Sequence, residues 1–159
     1  MEITTYQPER ARDVADLFHR AVHAIDPRIY TLAQQEAWAP TPPDYAFWEQ
    51  RLAIRQPWIA MDHGRLVGFV ELEPGGHIDC LYVDPDCQRQ GVAGLLYERV
   101  EAQAQSAGLA RLYVEASKIA RPFFEHRGFR VLCRNEIRRH GHGLVNFTME
   151  KQLSSGSSS

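Results

Sequence analysis

The chain reads as an α/β mixture of the α+β kind, built on one mixed, mostly antiparallel central sheet. Three observations predict this. Short apolar runs separated by turn residues fill positions 58–83, the pattern of hairpin-linked strands. A strand, a long helix and another strand then follow over positions 77–116, which predicts a parallel, right-handed crossover. Apolar residues at three- and four-residue spacing mark amphipathic helices before and after the hairpins. About six to seven strands and about four flanking helices are expected.

The elements follow in order. Residues 2–7 alternate as a strand, and Pro8 ends the run. Val14, Leu17, Phe18, Ala21, Val22 and Ile25 form a helical stripe that Asp26-Pro27 stops. Thr31 is suited to cap a short helix over 31–39. Pro40-Thr41-Pro42-Pro43 breaks the chain, and Phe47, Trp48, Arg51, Leu52 and Ile54 suit another short helix that ends before Pro57. Trp58–Met61 and Leu66–Leu72 are strands joined by the turn Asp62-His63-Gly64. Pro74-Gly75-Gly76 turns into a third strand, His77–Val83. A long helix is expected from about Gly91 to Ala107, with Gly108 at its C-terminal cap. Arg111–Glu115 is a strand, Ile119–His126 a helix, and Phe129–Cys133 and Leu144–Glu150 the last two strands. No repeat or linker divides residues 1–151, which read as one domain. Residues 152–159 read as a flexible Ser/Gly tail of the kind added for expression.

Composition excludes several classes of function. The net charge is −2 with histidine neutral, which provides no general basic field for nucleic acid. No apolar run approaches the roughly 20 residues of a membrane span, and Met1 to Pro8 lacks a signal pattern. Cys80, Cys87 and Cys133 form no CxxC pair, so reduced thiols in a cytoplasmic protein are expected. There is no HExxH, and His140 and His142 fall in a Gly-containing turn, so no metal site is expected.

The chemistry concentrates at the end of the third hairpin strand. Leu81-Tyr82-Val83-Asp84-Pro85 runs into Asp86-Cys87-Gln88-Arg89-Gln90-Gly91, which opens the long helix. A helix N-terminus presents unpaired N–H groups and the positive end of the helix dipole, a setting suited to phosphate. Gly91, Ala93 and Gly94 would let a ligand approach the backbone, and Arg89 adds a cation. A plain solvated turn is the competing reading. The loop is neither GxxxxGK[ST] nor GxGxxG.

Gln88-Arg89-Gln90-Gly91-Val92-Ala93 resembles the Q/R-x-x-G-x-G/A pyrophosphate loop of the GNAT (GCN5-related) acetyltransferases. Ala120-Arg121-Pro122-Phe123-Phe124-Glu125-His126-Arg127-Gly128-Phe129 resembles the same family's A-x-x-F-Y-E-x-x-G-F segment, in the same order and at the same spacing. The element order matches from residue 2 to about 151. His77-Ile78-Asp79, Ala116-Ser117 and Asn146-Phe147-x-Met149 are similar to a YafP-like bacterial branch.

The resemblance implies a GNAT fold and transfer of an acetyl group from acetyl-CoA to a small-molecule or peptide amine. Gln88, Arg89, Gln90, Gly91, Val92, Ala93 and Gly94 would hold the CoA pyrophosphate. The Val83 backbone would bind the pantetheine arm as an added strand. The Leu81 N–H would stabilise the thioester oxyanion. Ser117, Ala120, Phe123 and Phe124 would line the arm. Phe124 stands where family members often carry a tyrosine acid, and it has no hydroxyl. A CoA-binding sensor with weak turnover is therefore the alternative reading.

At the acceptor end, His77, Asp79 and Leu81 are expected on one face of their strand, opposite Ile78, Cys80 and Tyr82. His77 and Asp79 are the candidate bases, with Glu71 and Glu73 as alternatives on the adjacent strand. Tyr30 and Trp38, together with Glu71, are expected to touch the acceptor, while Trp48 is read as core. A homodimer is one expectation for assembly.

Overall fold

The computed structural model describes residues 1–153; residues 154–159 of the expected tail lie outside the described residues. The strands are β1 (Glu2–Thr5), β2 (Trp58–Asp62), β3 (Arg65–Leu72), β4 (His77–Val83), β5 (Arg111–Ser117), β6 (Arg130–Arg139) and β7 (His142–Gln152). The helices are α1 (Ala11–His23), α2 (Leu32–Trp38), α3 (Tyr45–Arg55), α4 (Val92–Ser106) and α5 (Arg121–His126), with short 3-10 turns at Pro8–Arg10 and Pro85–Cys87. All seven strands form one sheet in the order β1-β2-β3-β4-β5-β7-β6. β4 and β5 pair in parallel, as the crossover predicts, and the other neighbours are antiparallel.

Local chemistry explains the element ends. Thr31 and Gln34 form a full capping box at the start of α2. The Asp44 carboxylate accepts the Phe47 N–H to start α3. His63-Gly64 and His140-Gly141 have positive φ at both positions, which closes the two tight hairpins β2–β3 and β6–β7.

β6 and β7 are longer than the sequence predicts. The polar run Arg134 to Arg138 hides a strand, because Ile137 pairs with Leu144 and Asn135 with Asn146. Asn135 also donates to Asn146 Oδ1 at 3.0 Å and to Thr148 Oγ1 at 2.8 Å, so its polar face is satisfied within the sheet. The expected tail likewise begins later. Gln152 ends β7, and Leu153 is buried with its N–H donating to Ala110 O at 2.8 Å.

The sheet is covered on both faces. α4 and α5 pack Val92, Leu96, Val100 and Phe124 over Val67, Val70, Ile78 and Val114. α1 and α3 pack Val14, Leu17, Trp48 and Leu52 over Ile59, Leu66 and Phe69. Trp48 is core, as expected. α4 lies so close to β3 that a Cβ at Gly68 would stand 2.9 Å from Val92 Cγ1 and 3.1 Å from the Tyr82 carbonyl oxygen. This contact sets the height of the helix whose N-terminus faces the loop. Gly68→Val should therefore cost about 1–3 kcal/mol through overpacking. Urea unfolding of the variant against wild type measures it.

Candidate active site

The site begins where β4 leaves β5. The two strands pair only at His77↔Tyr113 and Ile78↔Val114. Beyond these positions β4 runs on to Val83 and β5 to Ser117 without pairing, so the sheet opens into a V. The Asp84 N–H donates to Val67 O at 2.9 Å. Because backbone groups alternate along a strand, the N–H and C=O of Val83 point away from β3, into the gap. A cavity of about 310 Å³ occupies the gap, and Leu81, Ala116, Ser117, Ala120 and Phe124 are among its lining residues.

A bulge causes part of this opening. The β3–β4 register shifts by one residue between Glu71↔Asp79 and Phe69↔Tyr82. Cys80, at φ +53°, lies in the shifted segment. The shift reverses the side-chain alternation. Leu81 and Val83 join Ile78 on the α4 face, while Cys80 and Tyr82 pack toward α1 and α3. The expectation that Leu81 shares a face with His77 and Asp79 is thus corrected.

At the wide end of the V, the loop enters α4. Asp84 anchors it. This buried carboxylate accepts the Asp86 N–H at 2.9 Å and pairs with Arg20 at 2.9 Å and Arg65 at 2.7 Å. Burial raises its pKa, but the Asp86 N–H and the two guanidinium groups outweigh burial and hold it below the usual carboxylate range. Gln88, Arg89, Gln90 and Gly91 are exposed. Gly91 is the N-cap of α4 at φ +80°, without a side-chain cap, and a Cβ there would meet no other atom within 4 Å. The first-turn N–H groups of Val92, Ala93 and Gly94 have no acceptor within the helix. The loop thus presents open space and uncapped donors, which suit an anionic group.

At the narrow end, charges converge. Arg51 of α3 grips fully buried Glu71 through two bonds of 2.6 and 3.1 Å, and also donates to Asp79 at 2.9 Å and to Cys80 Sγ at 3.3 Å. Arg55, one turn on, lies 3.3–3.5 Å from Glu71, Glu73 and Asp79. Burial pushes the Glu71 carboxyl up against the pull of Arg51. Burial also pushes the Cys80 thiol well up, reinforced by Glu71 and Asp79, so it is no nucleophile. Asp79 is net lowered, because Arg51 outweighs burial.

His77 stacks on Tyr113 at 4.9 Å. Its Nδ1 lies 2.5 Å from Glu73, and its Nε2 lies 2.5 Å from Glu115. Burial lowers its pKa, but the two carboxylates outweigh burial and raise it above the free imidazole value. A carboxylate at each nitrogen is the environment of an imidazolium donating both protons.

The acetyltransferase (GNAT) domain family matches residues 28–153. The chain belongs to the GNAT family. It is 33% identical to the uncharacterised N-acetyltransferase YafP of Escherichia coli K12 over 150 residues, 94% of each chain. It also resembles the crystal structure of a GCN5-related N-acetyltransferase from Rhodopseudomonas palustris, with a TM-score of 0.90 and 36% identity, covering 96% of this chain and 95% of that one. PaiA N-acetyltransferase from Thermoplasma acidophilum, solved with coenzyme A, shares the fold at a TM-score of 0.73 and 18% identity, covering 96% and 98% of the two chains. Membership in the GNAT family makes the chain an acyltransferase-class enzyme with acetyl-CoA as cosubstrate.

Within this GNAT frame, the residues expected at the cofactor divide. Leu81, Ser117, Ala120 and Phe124 border the cavity. Val83 reaches the gap through its backbone. Gln88 to Ala93 form the open loop and helix start. Ser117 Oγ accepts the Ala120 N–H at 3.1 Å, which ties the end of β5 to the start of α5. One side chain differs from expectation. Phe123 packs on Tyr97 and under Arg127, with ring centroids 6.1 Å apart and the guanidinium 5.0 Å from its centroid, and is not among the cavity-lining residues. At Gly94 a Cβ would stand 2.6 Å from Nη2 at the flexible end of the Arg127 side chain, which can move aside.

The acceptor residues also divide. Tyr30 is buried; its hydroxyl donates to Val145 O at 2.8 Å and accepts the Lys118 N–H at 2.9 Å. It thereby braces the cavity wall. Trp38 borders this cavity and a second one of about 390 Å³ that reaches from Asp79 and Tyr82 to Phe18 and the 39–44 bend. Glu71 lines neither cavity. Its expected contact with the acceptor is corrected to that of a buried counter-ion for Arg51.

Arg51, Arg55 and Glu115 escaped the sequence reading. The i, i+4 spacing of the two arginines on α3 was the available signal. Arg51→Met should destabilise the fold by about 3–5 kcal/mol, because it strands a buried carboxylate. Adding Glu71→Leu should recover much of the loss. Urea titration of the single and double variants checks both.

Proposed function

We propose that the chain transfers the acetyl group of acetyl-CoA to the primary amine of a small molecule or peptide, by direct attack in a ternary complex. The observation that carries this reading is the V between β4 and β5, with uncapped helix donors at one end and the His77, Asp79 and Glu115 cluster at the other. The loop from Gln88 to Gly94 takes the pyrophosphate, and Arg89 adds charge. The outward-facing backbone of Val83 pairs with the pantetheine amides. The Leu81 N–H meets the thioester carbonyl and stabilises its developing negative charge.

The acceptor enters as an ammonium ion toward Asp79 and Glu115, whose carboxylates border the cavity. One proton must leave before the nitrogen lone pair attacks. We assign its removal to the fraction of His77 that is neutral, with Glu73 and Glu115 holding the ring in place. Asp79 serves as a fixed anion, because Arg51 and Arg55 occupy it. The C–S bond then breaks, and the CoA thiolate leaves without a tyrosine acid at position 124. Three cysteines free of disulfides suit the reducing cytoplasm, where acetyl-CoA is available.

A panel of primary amines with acetyl-CoA, read by thiol release, tests the reaction. Tight acetyl-CoA binding with no release on any amine would support the sensor reading instead. Gly91→Glu should abolish acetyl-CoA binding in calorimetry, because it places an anion in the pyrophosphate space. Gly91→Ala carries the same backbone strain without the charge and should retain most of the affinity. Equal affinities for Gly91→Glu and wild type would remove the loop assignment.

The pH profile tests the proton path. His77 accepts a proton only when neutral, and its carboxylate partners raise its pKa. The acidic limb of kcat/KM should therefore lie above the free imidazole value of about 6.5. His77→Gln should lower kcat/KM by about a hundredfold or more and remove that limb. An unchanged profile in His77→Gln would assign the proton to another group.

A further inference from the structure

The face of α1 farther along the second cavity carries another histidine pair. His19 and His23 lie one turn apart, and their rings stack with centroids 4.1 Å apart. Glu36 of α2 faces them. It is held by the bend that follows α2: Glu36 Oε1 accepts the Thr41 N–H at 2.6 Å, and Oε2 accepts the Thr41 hydroxyl at 2.9 Å. The same hydroxyl oxygen is 2.8 Å from His19 Nε2. His23 Nε2 is 2.7 Å from the Ala39 carbonyl oxygen and 3.6 Å from Glu36 Oε2. One ligand atom from each of His19, His23 and Glu36 lies within 4.8 Å of the other two. Two imidazole nitrogens and three kinds of oxygen thus converge between α1, α2 and the 39–41 bend.

We propose that His19, His23 and Glu36 bind a divalent transition-metal ion of the zinc, cobalt or nickel class, with Thr41 Oγ1 or Ala39 O completing the shell. The donor set selects this class. Magnesium and calcium favour all-oxygen shells, whereas two imidazoles and a carboxylate match zinc and its neighbours. Two histidines at i and i+4 on one helix face are a proven way to present two nitrogens to one ion.

The protonation states suit binding. The Thr41 N–H and hydroxyl hold the Glu36 carboxyl below its usual range. Without the ion, both Nε2 atoms donate. Ala39 O can only accept, and the Thr41 hydroxyl proton is already directed at Glu36. Binding moves each imidazole proton to Nδ1 and turns the Nε2 lone pair to the metal, with no net loss of protons. The Thr41 N–H, which holds Glu36 Oε1 from behind, acts as an outer support.

The ion would fasten α2 and its following bend to α1. His19, Trp38 and Ala39 line the second cavity, so the metal would fix one wall of that cavity. The site stands apart from the β4–β5 gap and does not depend on acetyl transfer.

The test uses the full chain, stripped with chelator, and titrates Co(II) and Zn(II) separately by calorimetry. Visible absorption of Co(II) provides a second readout. One ion per chain is expected, bound equally by wild type and by the double variant His140→Ala/His142→Ala. His23→Ala and Glu36→Gln should each weaken binding by at least about tenfold. Circular dichroism checks the fold, and if His23→Ala does not fold, the partly exposed Glu36→Gln decides alone. The proposal is overturned by no stoichiometric binding to wild type. It is also overturned if Glu36→Gln binds as tightly as wild type, or if binding is lost in the His140/His142 variant.

Discussion

The molecule depends on a parallel strand pair that stops after two residues. Had β4 and β5 paired along their full length, the sheet would close and no slot would remain. The bulge around Cys80 makes continued pairing unfavourable by turning the β4 backbone out of register. A bulge with a non-glycine residue at positive φ is strained and persists only where its surroundings hold it. Arg51 supplies that hold. Its guanidinium touches Glu71 just past the shift on β3, and Asp79 and Cys80 at the bulge on β4. A planar fork with several donors can join three such groups, which a lysine could not do in the same geometry.

In the proposed reaction the two ends of the slot would use different physics, because they would meet different charges. The loop would meet an anion with backbone N–H groups and a helix dipole, so it would need few particular side chains. The narrow end would meet a cation, and it offers side chains. Four carboxylates, Glu71, Glu73, Asp79 and Glu115, surround Arg51, Arg55 and His77. With His77 protonated, the cluster retains one net negative charge. In the proposed reaction that charge would attract an ammonium ion, while Arg51 and Arg55 hold Asp79 ionised against its burial. When His77 loses its proton, the cluster becomes more negative by one charge. This opposes the loss, which is the physical origin of its raised pKa.

Much of this was legible in the sequence, for a physical reason. Strand alternation, the Asp-His-Gly turn, the Thr31 cap and the glycine loop before α4 are local signals, and local signals set local structure. The same locality explains the misses. The bulge at Cys80 depends on β3, so simple alternation placed Leu81 on the wrong face. Glu71 looked like an acceptor contact because its partner, Arg51, is twenty residues away. The His19–His23–Glu36 cluster was invisible because its third member lies on another helix and is aimed by Thr41. Phe123 and Phe124 are adjacent and chemically alike, yet Phe124 borders the cavity while Phe123 packs beneath Arg127.

Phe124 connects packing with chemistry. It is 1% exposed and sits edge-on to Phe123 and Phe129, with centroids 5.3 and 5.1 Å away. A tyrosine there would bury a hydroxyl, which is costly unless a bound ligand supplies a partner. Phenylalanine removes that cost and leaves an apolar wall. The absent acid is tolerable for a thioester, because a thiol with a pKa of about 8.5 leaves readily as thiolate near neutral pH. It would not be tolerable for an amide or ester, whose leaving groups are far more basic. The residue at 124 thus fits a thioester donor. In the proposed reaction it also shifts the chemical demand to the acceptor end, where the amine would have to lose its proton against a cluster held charged by its own ion pairs.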